Sequence, residues 1–331
     1  MITISREFIT DLKDQVLLGA EISFDDALQL IHIEEDKLLS VLCGAAREIT
    51  HFFNSNQAHL CSLVNAKSYM CGEDCAFCSQ SARFNTNVER YDLLSSEEIL
   101  KAAKKVEANG VNNFCIVTSG GSLNEKEFEQ IIDTVKLLKK ETSLNIDGSL
   151  GFLTAEKVQR LKEAGMRRFN DNLQTSRDFY SNIVSTHTYD TRLETLDFLK
   201  QEGMDLCSGG ILGMGETRED RVKMAFDLKK YHPECVPVNI LNPRPGTPLE
   251  HAPKIETKEV IKTIAVFRFI LPKSNIKLAG GREVNLGAEQ LAAFKAGANG
   301  VVTGGYLTTQ GNSFEIDREL LKSAGYEIAN D

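Results

Sequence analysis

The chain is poor in the features that mark membrane and nucleic-acid-binding proteins. Its 331 residues contain no apolar stretch close to the roughly 18 residues that a membrane-spanning helix needs. The net charge is −9 and no basic cluster exceeds a solvated helix face, so we expect neither nucleic acid nor membrane as a partner. Arg6 and Glu7 come too early for a signal peptide, so we expect a cytoplasmic protein. Tryptophan is absent, which by itself excludes no function.

Size and composition suit one large folded domain. No segment is of low complexity, and 42% of the residues are hydrophobic. An α/β barrel can exceed about 200 residues as a single domain. The chain has eight cysteines, which in a cytosolic protein favour metal or redox chemistry over disulfides.

Short apolar runs alternate with longer amphipathic stretches, which predicts an α/β fold. Residues 1–55 show helical spacing and are expected to form an N-terminal helical extension. Strand and helix patterns then alternate about eight times, the rhythm of a TIM (β/α)8 barrel. We therefore expect a barrel at 56–331 that ends in a helical segment, with an open doubly wound sheet as the alternative. The candidate strands are 60–64, 113–117, 144–150, 168–170, 206–209, 237–241, 276–278 and 300–303. The candidate helices are 96–108, 125–140, 155–164, 189–202, 218–230, 258–270 and 288–296.

Three cysteines lie in one short loop after the first candidate strand. Cys71, Cys75 and Cys78 have the spacing C-x3-C-x2-C. A zinc site usually closes with four ligands, but no second C-x2-C follows and the next histidine is His187. A ferredoxin would carry a different spacing and a fourth cysteine. A four-iron cluster held by only three cysteines would leave one iron open to a small molecule.

This spacing, with Phe77 directly before the third cysteine, resembles the signature of radical S-adenosylmethionine (SAM) enzymes. In that family the open iron chelates the amino and carboxylate groups of SAM, and an electron from the cluster cleaves SAM to a 5′-deoxyadenosyl radical. The resemblance implies a 4Fe–4S cluster and SAM as cofactors, with Cys71, Cys75 and Cys78 as the catalytic ligands. The spacing alone leaves a zinc site as the alternative. Residues 118–122 (TSGGS) would lie beside this loop, and their glycines would let backbone groups approach a ligand, with a plain turn as the alternative.

Five further cysteines are spread along the chain. Cys43 lies in a helical pattern before the barrel and is expected to be structural. Cys61, Cys115 and Cys207 fall in candidate strands, and Cys235 lies just before one. Strands of a closed barrel share one interior, so inward-pointing thiolates can converge on a metal cluster. Each has an even chance of pointing inward, and a small buried hydrophobe is the alternative.

From about residue 35 to about residue 325 the chain resembles the biotin synthases. The matching segments are NAKS (65–68), CGEDCAFCSQS (71–81), FNDNLQTS (169–176), CSGGILGMGE (207–216), VPVNIL (236–241), GTPL (246–249) and AGGRE (279–283). The resemblance implies a radical SAM barrel that converts dethiobiotin to biotin. In that family, radicals abstract hydrogens from two unactivated carbons, and sulfur from a second, auxiliary iron–sulfur cluster bridges them.

The resemblance also implies roles for individual polar residues. Asn170, Asn172 and Asn239 match asparagines that recognise SAM and the ureido ring of dethiobiotin. A carboxamide offers a donor and an acceptor to a cyclic urea, although a turn residue is the alternative for any one asparagine. Arg192 matches an arginine near the carboxylate of SAM. Gln174 stands where the familiar form has aspartate at the ribose of SAM, and its oxygen can still accept from a hydroxyl.

The auxiliary site departs from the familiar form, in which three cysteines and one arginine hold a 2Fe–2S cluster. The resemblance assigns Cys115, Cys207 and Arg282 to three of those positions, with Arg282 as a catalytic residue. Asp147 occupies the fourth position, which is a cysteine in the familiar form, and a carboxylate suits iron–sulfur ligation poorly. A 2Fe–2S site of the familiar kind is therefore only the alternative.

Two additional cysteines compensate for the missing one. Cys61 and Cys235 stand where the familiar form has serines. Our hypothesis is that Cys61, Cys115 and Cys207, together with Cys235 as a further candidate, hold a 4Fe-type auxiliary cluster. One of its irons would be free to carry an additional sulfide, which would serve as the sulfur donor. This is similar to a second class of biotin synthases from anaerobes with a 4Fe–5S auxiliary cluster.

Two other functions remain open at this stage. One is another radical SAM enzyme of the same branch, such as a methylornithine synthase or a hydrogenase-maturation enzyme, which shares the barrel and the three-cysteine loop. The other is an electron carrier or iron–sulfur sensor, which would need a fully ligated cluster near the surface. The resemblance further implies a homodimer and a flavodoxin or ferredoxin as electron donor.

Overall fold

Eight parallel strands close into a barrel in the computed structural model, which describes residues 4–329. Going round the barrel, the order is β1, β2, β3, β4, β5, β7, β8 and β9, and the pairing of β9 with β1 completes the ring. These strands are β1 Gln57–Lys67, β2 Asn113–Thr118, β3 Asn145–Ser149, β4 Arg168–Asn170, β5 Asp205–Cys207, β7 Cys235–Ile240, β8 Asn275–Leu278 and β9 Gly300–Val302. Two short strands are added: β6 (Gly210–Leu212) pairs with β7, and β10 (Glu327–Ile328) pairs with the start of β1.

Helices precede the barrel and fill most of its crossover connections. They are α1 Arg6–Leu17, α2 Phe24–Ile31, α3 Asp36–Asn54, α4 Ser96–Ala108, α5 Glu125–Glu141, α6 Ala155–Ala164, α7 Arg177–Tyr180, α8 Tyr189–Gln201, α9 Arg218–Lys229, α10 Thr257–Ile270, α11 Arg282–Leu286, α12 Gln290–Lys295 and α13 Phe314–Ser323. A 3-10 turn at Gly287–Glu289 leads into α12.

Local sequence signals explain where several of these helices begin. Ser95 caps α4, Asn124 caps α5 and Thr217 caps α9, each by accepting a backbone N–H with its side-chain oxygen. In each case the acidic residue three positions later returns a hydrogen bond to the cap, which forms a capping box. Such a box satisfies two N–H groups that a helix start leaves unpaired.

The three helices before β1 pack onto the barrel's outer layer. The side chains of α1, α2 and α3 share one hydrophobic cluster with those of the barrel helices and strands. Lys262 of α10 is fully buried against this extension and donates to the backbone oxygen of Ile33 at 2.9 Å. The division into 1–55 and 56–331 stays a prediction.

The structure confirms the TIM barrel, and the open sheet is wrong because β1 and β9 pair in parallel. The helices predicted at 96–108 and 155–164 match α4 and α6. The predicted strand 206–209 overlaps β5, which ends at Cys207, and a separate strand that was not predicted, β6, follows at Gly210. Strand β7 begins at Cys235, two residues earlier than predicted. In residues 4–329, no helix combines the length and the apolar composition needed to cross a membrane.

Candidate active site

A cavity of about 420 Å³ opens where the barrel strands end. The predicted site residues line it, with the exceptions of Arg282 and Cys235. The lining includes Cys61, Cys71, Cys75, Phe77, Cys78, Cys115, Asn170, Asn172, Gln174, Arg192, Cys207 and Asn239. Closure of the barrel therefore brings together side chains that lie up to 178 positions apart in the sequence, from Cys61 to Asn239.

The three-cysteine loop (residues 71–78) is held by backbone hydrogen bonds at the mouth of this cavity. The N–H of Cys78 donates to the oxygen of Cys75 at 2.9 Å, and the N–H of Ala82 donates to the oxygen of Cys71 at 2.8 Å. The N–H of Ala76 donates to the oxygen of Ile183 at 2.8 Å, which connects the loop to the segment after α7. The thiols are therefore positioned by backbone contacts.

The three thiols of the loop lie close enough to interact electrostatically. Burial raises the pKa of Cys75 to about 12, and the neighbouring Cys78 and Cys71 add to the shift. Burial likewise raises the pKa of Cys78, and Cys71 contributes. Metal binding removes such protons because the thiolate is the ligand. Among residues 4–329, no three His, Cys, Asp or Glu side chains are arranged to hold one metal ion. A four-iron cluster needs a different arrangement, because each of its cysteine ligands binds a different iron.

Arg192 lies on α8 and presents its guanidinium to the same cavity. One terminal nitrogen binds the buried carboxylate of Asp171, and Nε donates to the hydroxyl of Tyr180 at 3.1 Å. The other terminal nitrogen lies 3.3 Å from Nε2 of His187. A guanidinium has five N–H groups, so one remains on each terminal nitrogen. These two N–H groups of Arg192 can bind the two oxygens of one carboxylate. Arg192 therefore fits the amino-acid end of SAM.

Two of the predicted asparagines are tied to β5 and the turn after it. Asn170 at the end of β4 donates from Nδ2 to the sulfur of Cys207 at 3.2 Å. The side-chain oxygen of Asn172 accepts from the N–H of Gly209 at 3.0 Å. Both line the cavity, and each retains a free donor for a ligand.

Asn239 on β7 spans two neighbouring segments. Its Nδ2 donates to the oxygen of Gly210 at 3.2 Å, and its Oδ1 accepts from the N–H of Gly280 at 3.0 Å. Gln174 has a left-handed backbone with φ 70°, and its backbone oxygen accepts from the N–H of Ile211 at 2.8 Å. The orientation of Asn239 is therefore set by the protein backbone, and one N–H remains for a ligand.

The interior thiols (Cys61, Cys115, Cys207 and Cys235) lie below the three-cysteine loop, on β1, β2, β5 and β7. All four are buried, with side chains no more than 7% exposed. Cys207 and Cys235 are direct neighbours across β5 and β7, and each shifts the pKa of the other. Cys61, Cys115 and Cys207 line the cavity, whereas Cys235 does not.

Three charged side chains stand among these thiols, one on each of β3, β4 and β8. They are Asp147, Arg168 and Lys277, all at most 5% exposed. A hydrogen bond from Cys207 and the charges of Lys277 and Arg168 lower the pKa of Cys235, against the effect of burial. Burial opposes a charge on Lys277, but the thiols of Cys235, Cys61 and Cys207 raise its pKa. The interior is therefore cationic around potential thiolates.

Asp147 pairs across the sheet with Cys115 on one side and Arg168 on the other. Its Oδ2 lies 3.7 Å from the Arg168 guanidinium, and its Oδ1 has no hydrogen-bond partner. Burial raises the pKa of Asp147 to about 6, although Arg168 and Lys277 oppose the shift. This carboxylate shares the layer of the interior thiols and is incompletely satisfied by the protein.

Two family models match adjoining parts of the chain. The Radical SAM superfamily model matches residues 67–228, which hold the three-cysteine loop and Arg192. The Biotin and Thiamin Synthesis associated domain matches residues 237–327. The cavity is lined by residues from both parts.

Full-length relatives decide the family. A biotin synthase of Clostridium tetani is 42% identical over 325 residues, covering 98% of this chain and 99% of the relative. Biotin synthases of Carboxydothermus hydrogenoformans (97% of this chain, 99% of the relative) and Clostridium acetobutylicum (96% and 98%) are 43% and 44% identical. The chain belongs to the biotin synthase family.

Solved structures agree on the fold. A methylornithine synthase superposes with a TM-score of 0.85 at 22% identity, covering 96% of this chain and 97% of the other. A maturase of the [FeFe]-hydrogenase gives a TM-score of 0.85 at 18% identity, covering 99% of this chain and 76% of the other. At these identities the likeness concerns the barrel alone. The full-length relatives thus favour the biotin synthase family over these alternatives.

Arg282 does not face the cavity in this member of the biotin synthase family. It starts α11, is fully buried, and donates to both carboxylate oxygens of Asp317 at 2.8 and 2.7 Å. Gln290 and the backbone oxygen of Val302 also bind its guanidinium. Two of its partners line the cavity, namely Val302 and Tyr306, whose hydroxyl lies 3.1 Å from Nε of Arg282. The assignment of Arg282 as a ligand of the auxiliary cluster stays a prediction.

Lys277, five residues before Arg282, is a cation that lines the cavity, and the sequence analysis did not predict it. It lies on β8 between buried Ile276 and Leu278, and its charge lowers the pKa of Cys235. A lysine inside a short apolar strand was the available signal, since a buried lysine needs a partner. Cys43, in contrast, lies on α3, packs against the hydrophobic core away from the cavity, and has its pKa raised to about 11 by burial.

Proposed function

We propose that this chain is an enzyme that converts dethiobiotin to biotin by radical SAM chemistry. The observation that carries the proposal is the single cavity into which the three-cysteine loop and three interior thiols converge. One set of thiols suits radical generation and the other suits sulfur storage, and biotin formation needs both.

Cys71, Cys75 and Cys78 would hold a 4Fe–4S cluster with one open iron, and Arg192 would bind the carboxylate of SAM. When bound, this cluster supplies the electron that cleaves SAM to the hydrogen-abstracting radical. Phe77 lines the cavity beside these cysteines and helps to exclude water from it. Gln174 lines the same wall, where its carboxamide can accept from the ribose hydroxyls.

The substrate would lie deeper, between the SAM site and the interior thiols. Asn170, Asn172 and Asn239 offer carboxamide groups whose orientation is set by their contacts to Cys207, Gly209 and Gly280. A cyclic urea carries one acceptor and two donors, which such groups satisfy. We propose that they orient the ureido ring so that the carbons to be joined face Cys207 and its neighbours.

An auxiliary iron–sulfur cluster of 4Fe type would be held by Cys61, Cys115 and Cys207. Support comes from the exposure of these thiols to the cavity and from the position of Cys235 behind Cys207. Lys277 and Arg168 offset the negative charge that thiolates and sulfides bring into the barrel. A 2Fe–2S cluster is the alternative, because Asp147 shares the layer and could replace a thiolate.

The remaining features of the proposal rest on the family resemblance. A flavodoxin or ferredoxin would supply the electron, and the enzyme would act as a homodimer in the cytoplasm. Residues 1–55 would form the helical extension and residues 56–331 the catalytic barrel.

The test is an anaerobic assay of the reconstituted protein with SAM, dethiobiotin and dithionite. We expect 5′-deoxyadenosine and biotin, in a ratio near the two SAM molecules that two hydrogen abstractions require. If the protein were instead an electron carrier or an iron–sulfur sensor, no 5′-deoxyadenosine would form. Formation of 5′-deoxyadenosine without biotin would point to another radical SAM reaction.

A further inference from the structure

A chain of polar side chains in mutual contact connects the three-cysteine loop to Arg192. Glu73, between Cys71 and Cys75, accepts a hydrogen bond from Nδ1 of His187 at 2.7 Å. The other ring nitrogen, Nε2, lies 3.3 Å from a terminal nitrogen of Arg192. Only 5% of the His187 side chain is exposed. The imidazole therefore bridges the loop and the guanidinium.

The partners of the ring determine which nitrogen carries the proton. A guanidinium can only donate, so Nε2 must present its lone pair to Arg192. Nδ1 then bears the hydrogen and donates it to the Glu73 carboxylate. Burial lowers the pKa of His187, against the hydrogen bond to Glu73, which favours this neutral form. Asp171 and Arg192 are the other charged groups that face the ring.

Glu73 itself has little freedom to move. Thr186 donates to its Oε2, and a β-carbon at Gly121 would lie only 2.5 Å from its Oε1. Burial opposes its charge, but the hydrogen bonds from Thr186 and His187 lower the pKa of Glu73. The absence of a side chain at Gly121 thus leaves space for the carboxylate that orients His187. Gly121 of the TSGGS segment therefore serves this contact in addition to any approach to a ligand.

Aromatic rings complete the setting of His187. Phe152 meets it edge-on with ring centroids 4.9 Å apart, and the Arg192 guanidinium lies 5.0 Å from the centre of the Phe152 ring. Tyr180, which accepts from Nε of Arg192, lies 6.0 Å from His187. Arg192 is thus held in place by Asp171, Tyr180 and His187, and the contact with His187 also links it to the cluster ligands.

We propose that His187 is a positioning residue for SAM, which aligns Arg192 with the three-cysteine loop so that the carboxylate of SAM meets the guanidinium and the open iron together. The proposal rests on the proposed function, since it needs SAM as the cofactor. It assigns to His187 a role in SAM affinity and none in dethiobiotin binding.

The test measures the dissociation constants of SAM and of dethiobiotin by equilibrium dialysis with the anaerobically reconstituted protein. We expect His187→Ala to raise the dissociation constant for SAM roughly tenfold, the value of one hydrogen bond to a charged group. The dissociation constant for dethiobiotin should stay within about twofold, because the hydrogen bonds of the asparagines proposed to bind it go to other groups than His187. His187→Gln should recover most of the SAM affinity, because an amide offers both an acceptor and a donor.

His251→Ala is the matched control, as that side chain is 92% exposed and remote from the cavity lining. Iron content and thermal unfolding are measured for each variant; if the alanine variant does not fold, His187→Leu fills the space without hydrogen-bonding atoms and carries the same expectation. Unchanged SAM affinity in His187→Ala, or equal losses for SAM and dethiobiotin, would overturn the proposal. If the unmodified protein binds no SAM, the proposed function itself fails.

Discussion

The three-cysteine loop and the interior thiols are assembled in opposite ways. The loop supplies its thiols from eight consecutive residues, 71–78, and shapes itself with backbone hydrogen bonds. The interior thiols come from four different strands and meet only because the barrel closes. The loop is therefore a local motif, whereas the interior site is a property of the whole fold.

The two regions also differ in charge. Beside the loop, the one cation Arg192 pairs with the carboxylate of Asp171, and the neutral ring of His187 donates to a second carboxylate, that of Glu73. In the interior, two cations, Arg168 and Lys277, face one carboxylate. The excess cation lies next to thiols that can become anionic ligands. This difference suggests that the interior is built to hold a more negative group than the protein alone provides.

The largest expected effect comes from the loop. Cys71→Ala, Cys75→Ala and Cys78→Ala should each abolish SAM cleavage and therefore biotin formation, because two thiolates do not hold the cluster. The measurement is 5′-deoxyadenosine after addition of SAM and dithionite. Cys43→Ala is the control, since Cys43 lies on α3 away from the cavity and should leave cleavage intact. Normal cleavage by a loop variant would refute the ligand assignment.

The next largest effect should distinguish the interior thiols from the three-cysteine loop. Cys61→Ala and Cys207→Ala should spare some SAM cleavage but abolish biotin, as they remove sulfur storage and leave the loop unaltered. Cys235→Ala should only reduce biotin, because Cys235 lies behind Cys207 and does not line the cavity. Both products are measured in one reaction. Normal biotin from Cys61→Ala would show that Cys61 is not a ligand of the auxiliary cluster.

A smaller effect tests the interior charges. Lys277→Met should lower the free energy of unfolding of the cluster-free protein by about 3 kcal/mol, since it removes a cation that compensates the buried Cys235 thiolate, whose pKa Lys277 lowers. Urea unfolding under reducing conditions measures this. Lys101→Met, at an exposed position of α4, should change stability by less than about 0.5 kcal/mol. Equal stability of the two variants would contradict the role of Lys277.

The smallest effect concerns Asp147 and pH. Its pKa is raised to about 6 in the folded chain, so folding favours the protonated form. The stabilisation is present at low pH and is lost as pH rises through about 6. Relative to Asp147→Asn, the cluster-free protein should therefore lose about 2 kcal/mol of stability between pH 4 and pH 7. Parallel stability curves for the two proteins would show that Asp147 is not buried as described.

The sequence predicted most of the fold because its signals are local. Ser95 with Glu98 forms a capping box, and α4 begins where this pair predicts. The separate strand β6 after β5 was not predicted, since β6 pairs with β7, which lies 23 residues or more further along the chain. Pairing of that kind leaves no local pattern.

The distinction between local signals and long-range contacts also applies to the site. The three-cysteine loop could be predicted from spacing alone, and the structure places its thiols at the cavity. Resemblance placed Arg282 in the site, and its place there stays a prediction. The structure adds its carboxylate partner Asp317, which lies 35 positions further along the chain and which no local pattern indicates. Lys277, five residues before Arg282, lines the cavity beside the thiols, and the sequence analysis did not predict it.

The central claim is that the interior thiols hold a four-iron auxiliary cluster in addition to the cluster of the loop. Iron and acid-labile sulfide counts on the anaerobically reconstituted protein test it most directly. A four-iron cluster at each of the two sites should give about eight irons per chain. About six irons per chain, with the absorption spectrum of a 2Fe–2S cluster, would contradict it.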